Sequence, residues 1–136
     1  MCADKMDVPA DRVYTKSHEW AKLENGEVVI GITAYAVEEM GHDIVHIELP
    51  EAGASIGRED SFGVIDSVKA AFDLYAPVAG EIVDVNKALE SDPSLISDSP
   101  FDQGWMIRIR PESVDDVNKN LSPDDYRAMI ESGESH

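Results

Sequence analysis

Residues 61–85, SFGVIDSVKAAFDLYAPVAGEIVDV, carry the pattern that decides the fold. The stretch opens with a short apolar run, Phe62-Gly63-Val64-Ile65, and closes with an alternating one, Ile82-Val83-Asp84-Val85. Between them lie a tight polar step, Ser67-Val68-Lys69-Ala70, and a turn from Pro77 to Gly80. Short runs rich in β-branched residues and bounded by Gly, Pro and Ser read as strands joined by turns. Lys69 therefore falls at or beside the tip of a β-hairpin, with Asp66 three residues before it and Asp73 four residues after. Val68, Ala70 and Ala71 are small or apolar and leave the amine uncrowded. A solvated lysine amine is mostly protonated and a poor nucleophile, so chemistry at Lys69 needs an outside enzyme. On residue types alone, the commonplace reading is a solubilising lysine on a turn.

Outward from this hairpin, the same signals continue. Upstream, residues 13–14 and 19–23 read as short strands around a Lys16-Ser17-His18 corner. Asn25-Gly26 is a hairpin turn signal, and the β-branched residues 28–33 form the strand after it. Residues 34–40 (AYAVEEM) switch to helix formers and stop at Gly41. In residues 44–49, Val45, Ile47 and Leu49 alternate with Ile44, His46 and Glu48, the pattern of a strand with one wetter face. Downstream, residues 88–96 read as a loop with a helical turn at 93–96. Trp105, Ile107 and Ile109 alternate with Met106, Arg108 and Arg110 in a last strand stopped by Pro111. A weaker helix is expected over 113–119. A firmer one follows Ser122-Pro123-Asp124-Asp125, with Tyr126, Met129 and Ile130 at helical spacing. Gly26-Glu27-Val28-Val29 and Gly80-Glu81-Ile82-Val83 echo one another, each opening a strand, as a sandwich of two similar strand sets would show.

A chain of 136 residues suits one modest core, here assigned to residues 12–132 after a flexible polar tail over 1–11. The formal charge of −17, from 28 acidic residues against 11 Lys and Arg, argues against nucleic-acid and anionic-membrane partners and suits contacts with other proteins. Cys2 is the only cysteine, which excludes an internal disulfide and a cysteine-built metal site. No apolar run is long enough to span a bilayer. The first twelve residues lack both a secretory apolar core and transit-peptide character. A cytoplasmic protein is the expectation, or one of the mitochondrial matrix if a presequence was removed.

Few residues advertise catalysis. His42 and His46 have a spacing that helices use for zinc, but the segment alternates like a strand, so no metal site is expected. There is no Gly-rich phosphate loop and no nucleophile elbow. Chance carboxylate pairs are cheap in so acidic a chain, so the chain is read as a non-enzyme.

GVIDSVKAAFDLYAPVAGEIVDVN, with Tyr14-Thr15-Lys16-Ser17-His18-Glu19-Trp20, Val29-Ile30-Gly31-Ile32-Thr33 and Asp43-Ile44-Val45-His46-Ile47-Glu48-Leu49-Pro50 upstream, resembles the H-protein family of the glycine cleavage system. Ala88-Leu89-Glu90, Pro93-Ser94-Leu95-Ile96 and Gly104-Trp105-Met106-Ile107 continue the likeness in the same order. The resemblance implies a mainly β, barrel-sandwich hybrid fold of the lipoyl/biotinyl carrier type, with a short N-terminal helix and C-terminal helices. It further implies lipoic acid joined covalently to Lys69, within an attachment motif of Asp66, Ser67, Val68 and Ala70. Ser17, Glu19 and Asp73 take the positions that line the family's groove for the aminomethyl-loaded arm. Such a carrier would shuttle the aminomethyl group of glycine from glycine decarboxylase to aminomethyltransferase and the dithiol to dihydrolipoyl dehydrogenase, after a lipoyl-attaching ligase or transferase has loaded it. Two departures stand out: Asp66 replaces the family's Glu three residues before the lysine, and His42 looks like a one-residue insertion. Two rivals stay open, a lipoyl relay or H-like scaffold for other lipoate-dependent complexes, and a biotin carrier. The biotin family expects methionines where Val68 and Ala70 stand.

Overall fold

Asn25 and Gly26, at φ 53° and 81°, make the two-residue reversal on which the larger sheet is founded. Both left-handed values are what a hairpin turn matched to strand twist demands. In the computed structural model, which describes residues 8–40, 44–68 and 71–132, nine strands follow in chain order. They are β1 (Val13–Tyr14), β2 (Glu19–Glu24), β3 (Glu27–Ile32), β4 (Ile44–Glu48), β5 (Ser55–Ile56), β6 (Ser61–Ser67), β7 (Ala71–Tyr75), β8 (Gly80–Val85) and β9 (Ile107–Pro111). Helices α1 (Ala34–Met40), α2 (Ala88–Ser91), α3 (Ser94–Asp98) and α4 (Pro123–Ser132) decorate them, with a 3-10 turn at Val114–Lys119 before α4.

The strands form two antiparallel sheets, of order β1-β2-β3-β9-β8-β5 and β4-β6-β7. No pairing among the described residues closes the two into a barrel. Inward side chains of both sheets, among them Ile30, Ile32, Ile47, Ile65, Leu74 and Ile109, are fully buried in one core. The central stretch splits between the sheets: its first apolar run is β6 in the small sheet, its last is β8 in the large one. The Gly-Glu echo also resolves differently from a strand in each of two sets. Both copies lie in the large sheet on either side of β9, where Val28 and Ile82 are each opposite Ile109.

Two alternations are broken. Strict alternation puts Val45 on the face of Ile47, but the β4–β6 register shifts between Ile44 and His46. The shift turns Ile44 inward and leaves Val45 58% exposed. Alternation also puts Met106 on the wetter face of the last strand, yet it lies just before β9 and is fully buried, while Trp105 keeps partial exposure. The region 88–96 holds two short helices rather than one helical turn.

The C-terminal segment is fastened to the sheet edge. Tyr14 and Leu121 exchange backbone hydrogen bonds at 2.8 and 2.7 Å. The Ser122 hydroxyl then accepts the Asp125 amide at 3.1 Å, capping α4 as the sequence indicated. Tyr126 and Ile130 on α4 are buried with Tyr14, Trp20 and Val29 in a second apolar cluster. Val8, within the leader, packs there too, and Pro9 accepts a hydrogen bond from the Tyr14 hydroxyl at 2.5 Å.

Gly63 shows how closely the paired strands β4 and β6 approach, since a Cβ there would run into the Glu48 carbonyl oxygen. Gly63→Ala should lower the unfolding free energy by about 1–3 kcal/mol, because rigid backbone must move. Urea denaturation monitored by tryptophan fluorescence measures this, and an unchanged midpoint would contradict the packing.

Candidate functional site

The hairpin of β6 and β7 narrows to its tip with Asp66 opposite Ala71. Ser67 is buried and Val68 is 72% exposed, so the chain leaves the protein surface at this step. Lys69 and Ala70, and with them part of the expected attachment motif, lie outside the described residues, as does His42. Asp66 is half-buried between Ala71 on β7 and His46 on β4. Cross-strand pairing puts Asp66, Val64, Ala71 and Asp73 on one face of the hairpin.

β7 is an edge strand of the small sheet, and an edge leaves backbone groups without ladder partners. Here the corner between β1 and β2 reaches across. The amide of Tyr75, at the end of β7, donates to Glu19 Oε2 at 3.2 Å. Glu19 Oε1 accepts from the hydroxyls of Thr15 at 2.6 Å and Ser17 at 2.5 Å. The Glu19 amide in turn donates to Thr15 Oγ1 at 3.0 Å, and Thr15 N–H to the Glu19 carbonyl at 3.0 Å. These bonds fold residues 15–19 into a tight corner whose polar side chains converge on one carboxyl.

That carboxyl is only 1% exposed. Burial pushes the Glu19 pKa up from 4.5 to about 7, outweighing the hydrogen bonds from Ser17, Thr15 and Tyr75 that favour the charged form. Asp73, in contrast, is exposed, and the Tyr75 hydroxyl approaches it at 3.4 Å.

A groove of about 320 Å³ runs along β7 between these groups. It brings together all three residues expected to line it, Ser17, Glu19 and Asp73, with Ala71 at its tip-side end. Ile32, Ala36, Phe72 and Leu74 supply apolar wall, and His18 and Glu39 also face it. A larger cleft of about 550 Å³ shares Ser17, Glu19 and Tyr75 but contains neither Asp73 nor Ala71. The smaller groove is therefore the one contiguous with the hairpin tip. Sequence reasoning missed Thr15, whose hydroxyl holds Glu19, and Tyr75, which acts through its backbone amide. The alternate spacing of Thr15, Ser17 and Glu19 was the available signal for Thr15; a backbone donor leaves none. Among the described residues no group of three or more His, Cys, Asp or Glu side chains could hold a metal ion. No described helix is long and apolar enough to cross a membrane.

Comparison with known proteins points one way. The family model described as glycine cleavage H-protein matches residues 12–133. The glycine cleavage system H protein of a Thermus thermophilus strain is 46% identical over 127 residues, spanning 93% of this chain and 98% of its own. That of Saccharophagus degradans is 48% identical over 120 residues, spanning 88% and 92%. The crystal structure of a glycine cleavage system H protein from Mycobacterium marinum superposes with a TM-score of 0.82 at 36% identity, covering 93% of this chain and 99% of that one.

The raised Glu19 carboxyl has a signed consequence for stability. Between about pH 4.5 and 7 the folded chain holds a proton on Glu19 that the unfolded chain does not, so this group's contribution falls as pH rises through that window. Glu19→Gln removes the dependence. Relative to that variant, the wild type should lose about 3 kcal/mol between pH 4 and pH 8. Urea unfolding of both proteins at the two pH values gives the difference; parallel pH profiles would show that Glu19 titrates normally.

Proposed function

The chain belongs to the glycine cleavage H-protein family, and on that premise we propose that it carries lipoic acid on Lys69 and shelters the loaded amine in the groove along β7. Its role is that of a non-catalytic lipoyl carrier in glycine cleavage, working with the enzymes of that system. Family membership sets the biotin reading aside. The partners we assign are glycine decarboxylase, aminomethyltransferase, dihydrolipoyl dehydrogenase and a lipoyl-attaching ligase or transferase, with the cytosol as the place of work.

One observation carries the groove assignment: a buried carboxyl and an exposed one open onto the same apolar-walled groove, which reaches Ala71, two positions after Lys69 in the chain. The apolar walls suit a hydrocarbon arm, and the carboxyls suit an ammonium at its end. When bound, the lipoyl group supplies a disulfide that is reduced as it accepts the aminomethyl unit and a dithiol that is later reoxidised. The protein's own residues orient and protect. Ser17 donates its proton to Glu19 and keeps lone pairs free to accept an N–H. A cation arriving beside Glu19 favours the ionised carboxyl, so the proton held there near neutral pH leaves as the amine enters. Asp73 adds a second, solvent-screened charge. Holding the amine protonated removes the lone pair that would otherwise expel the thiolate and release ammonia.

Lys69→Arg should fold normally and show no lipoyl increment in its intact mass, because charge is kept while the acylatable amine is lost. Asp66→Glu should be lipoylated at least as fast as wild type, and Asp66→Ala more slowly. Glu19→Gln should still be lipoylated, yet release ammonia about ten- to hundredfold faster when loaded with glycine and the decarboxylase in the absence of the transferase. Asp73→Ala should show a smaller effect in the same direction, since its carboxylate is exposed. Wild-type release rates in both variants would refute the sheltering groove, and a lipoyl mass on Lys69→Arg would refute the attachment site.

A further inference from the structure

His18 stands between the groove residues Ser17 and Glu19 with a φ of 73°, a left-handed conformation that glycine or asparagine adopts far more readily. The backbone conformation gives no reason for a histidine at this position, so the reason is sought in its side chain. That side chain is 7% exposed. Its Nδ1 lies 2.7 Å from the Tyr126 hydroxyl on α4, and its ring packs tilted against Tyr35 at 4.9 Å between centroids.

The hydroxyl of Tyr126 also lies 2.7 Å from Thr33 Oγ1. Thr33 Oγ1 accepts the Ala36 amide at 3.2 Å at the start of α1, and the Thr33 amide donates to the His18 carbonyl at 3.0 Å. One direction of donation gives each donor an acceptor: Ala36 N–H to Thr33, the Thr33 hydroxyl to Tyr126, and the Tyr126 hydroxyl to His18 Nδ1. The mount is rigid, because Tyr126 stacks on Tyr14 at 4.7 Å and 12°. From His18 the constraint passes directly to the groove wall, since the His18 amide donates to the Thr15 carbonyl at 3.1 Å and Thr15 holds Glu19.

We infer that Tyr126 is a positioning residue for the amine groove: its hydroxyl clamps His18 and thereby holds Ser17 and Glu19 against the edge of β7. This rests on the groove reading given above and assigns the C-terminal helix a part in it. Tyr126 touches neither arm nor amine in this account; it fixes the corner that does. The titratable groups that line a cavity with Glu19 are His18, Glu39, Asp73 and Tyr75 in the groove, and Tyr14, Lys16, Arg58, Glu59 and Lys119 in the larger cleft, so a loosened corner that admits water should register in the Glu19 carboxyl itself.

The test uses Tyr126→Phe, which keeps the stacked ring and removes the hydroxyl, and His18→Gly, which relieves the left-handed backbone and removes the clamp. In the unmodified protein, carboxyl-carbon NMR should follow Glu19 titrating near pH 7 in the wild type and at lower pH in both variants. In the lipoylated, glycine-loaded protein, each variant should release ammonia about five- to tenfold faster than wild type. The double variant should do no more than either single one. If His18 serves only the turn, His18→Gly titrates and holds its amine like wild type, and the clamp is refuted. Glu19→Gln separates the two proposals. Faster release in Glu19→Gln with wild-type behaviour in the clamp variants leaves the groove standing and overturns the clamp. Unchanged release in Glu19→Gln overturns the groove, and the carboxyl titration alone then decides whether Tyr126 fixes the corner.

Discussion

The amide of Tyr75 donates to a buried carboxyl of Glu19, and by that bond two sheets sharing no strand are joined at one corner. The bond answers two needs. The edge of β7 has an N–H without a ladder partner, and the β1–β2 corner has a carboxyl with little water around it. Each group satisfies the other, but incompletely: three donors do not recover the hydration that Glu19 loses, and its pKa rises to about 7. The same contact therefore closes the sheet edge and partly offsets the burial that raises the acid's pKa.

Elements that depend on local chemistry were legible in the chain. Asn25-Gly26 specified its turn, residues 34–40 their helix, and Ser122-Pro123 the start of α4, because caps and left-handed positions act within a few residues. What failed was non-local. No local signal assigns β6 and β8 to different sheets, and strict alternation could not foresee the register shift that turns Val45 outward. Met106 was misplaced because it precedes β9, where the strand period does not yet hold.

The site divides along the same line. Lys69 read locally as no more than a lysine on a turn, and its attachment role came from family resemblance. Ser17, Glu19 and Asp73 were named through family resemblance, since the corner and β7 lie more than fifty residues apart and only tertiary structure brings them to one groove. Tyr126 was legible as a core residue of an amphipathic helix, and so it is: fully buried and stacked on Tyr14. Its hydroxyl, reaching His18 and Thr33, carries information that a hydrophobic period cannot.

A carrier must release as well as hold, and the position of Glu19 bears on both. A buried carboxylate that stayed ionised after its cation left would be an uncompensated charge in a dry corner, a state costing several kcal/mol in typical proteins, order of magnitude. A strong acid in that place would resist unloading by about that amount. In the groove as proposed, a Glu19 carboxyl pushed up to about 7 would take a proton from solvent as an amine departs and give it up as one arrives. On that proposal the corner would alternate between two neutral arrangements, carboxyl alone or carboxylate with ammonium, and neither would strand a charge. Such an exchange needs the donors from Thr15, Ser17 and Tyr75 to stay in place through both states, which a corner braced at His18 from two sides provides. Rigidity in the wall and lability of one proton would thus be complementary requirements of the proposed groove, the first resting on contacts from the C-terminal helix and the second on burial of Glu19.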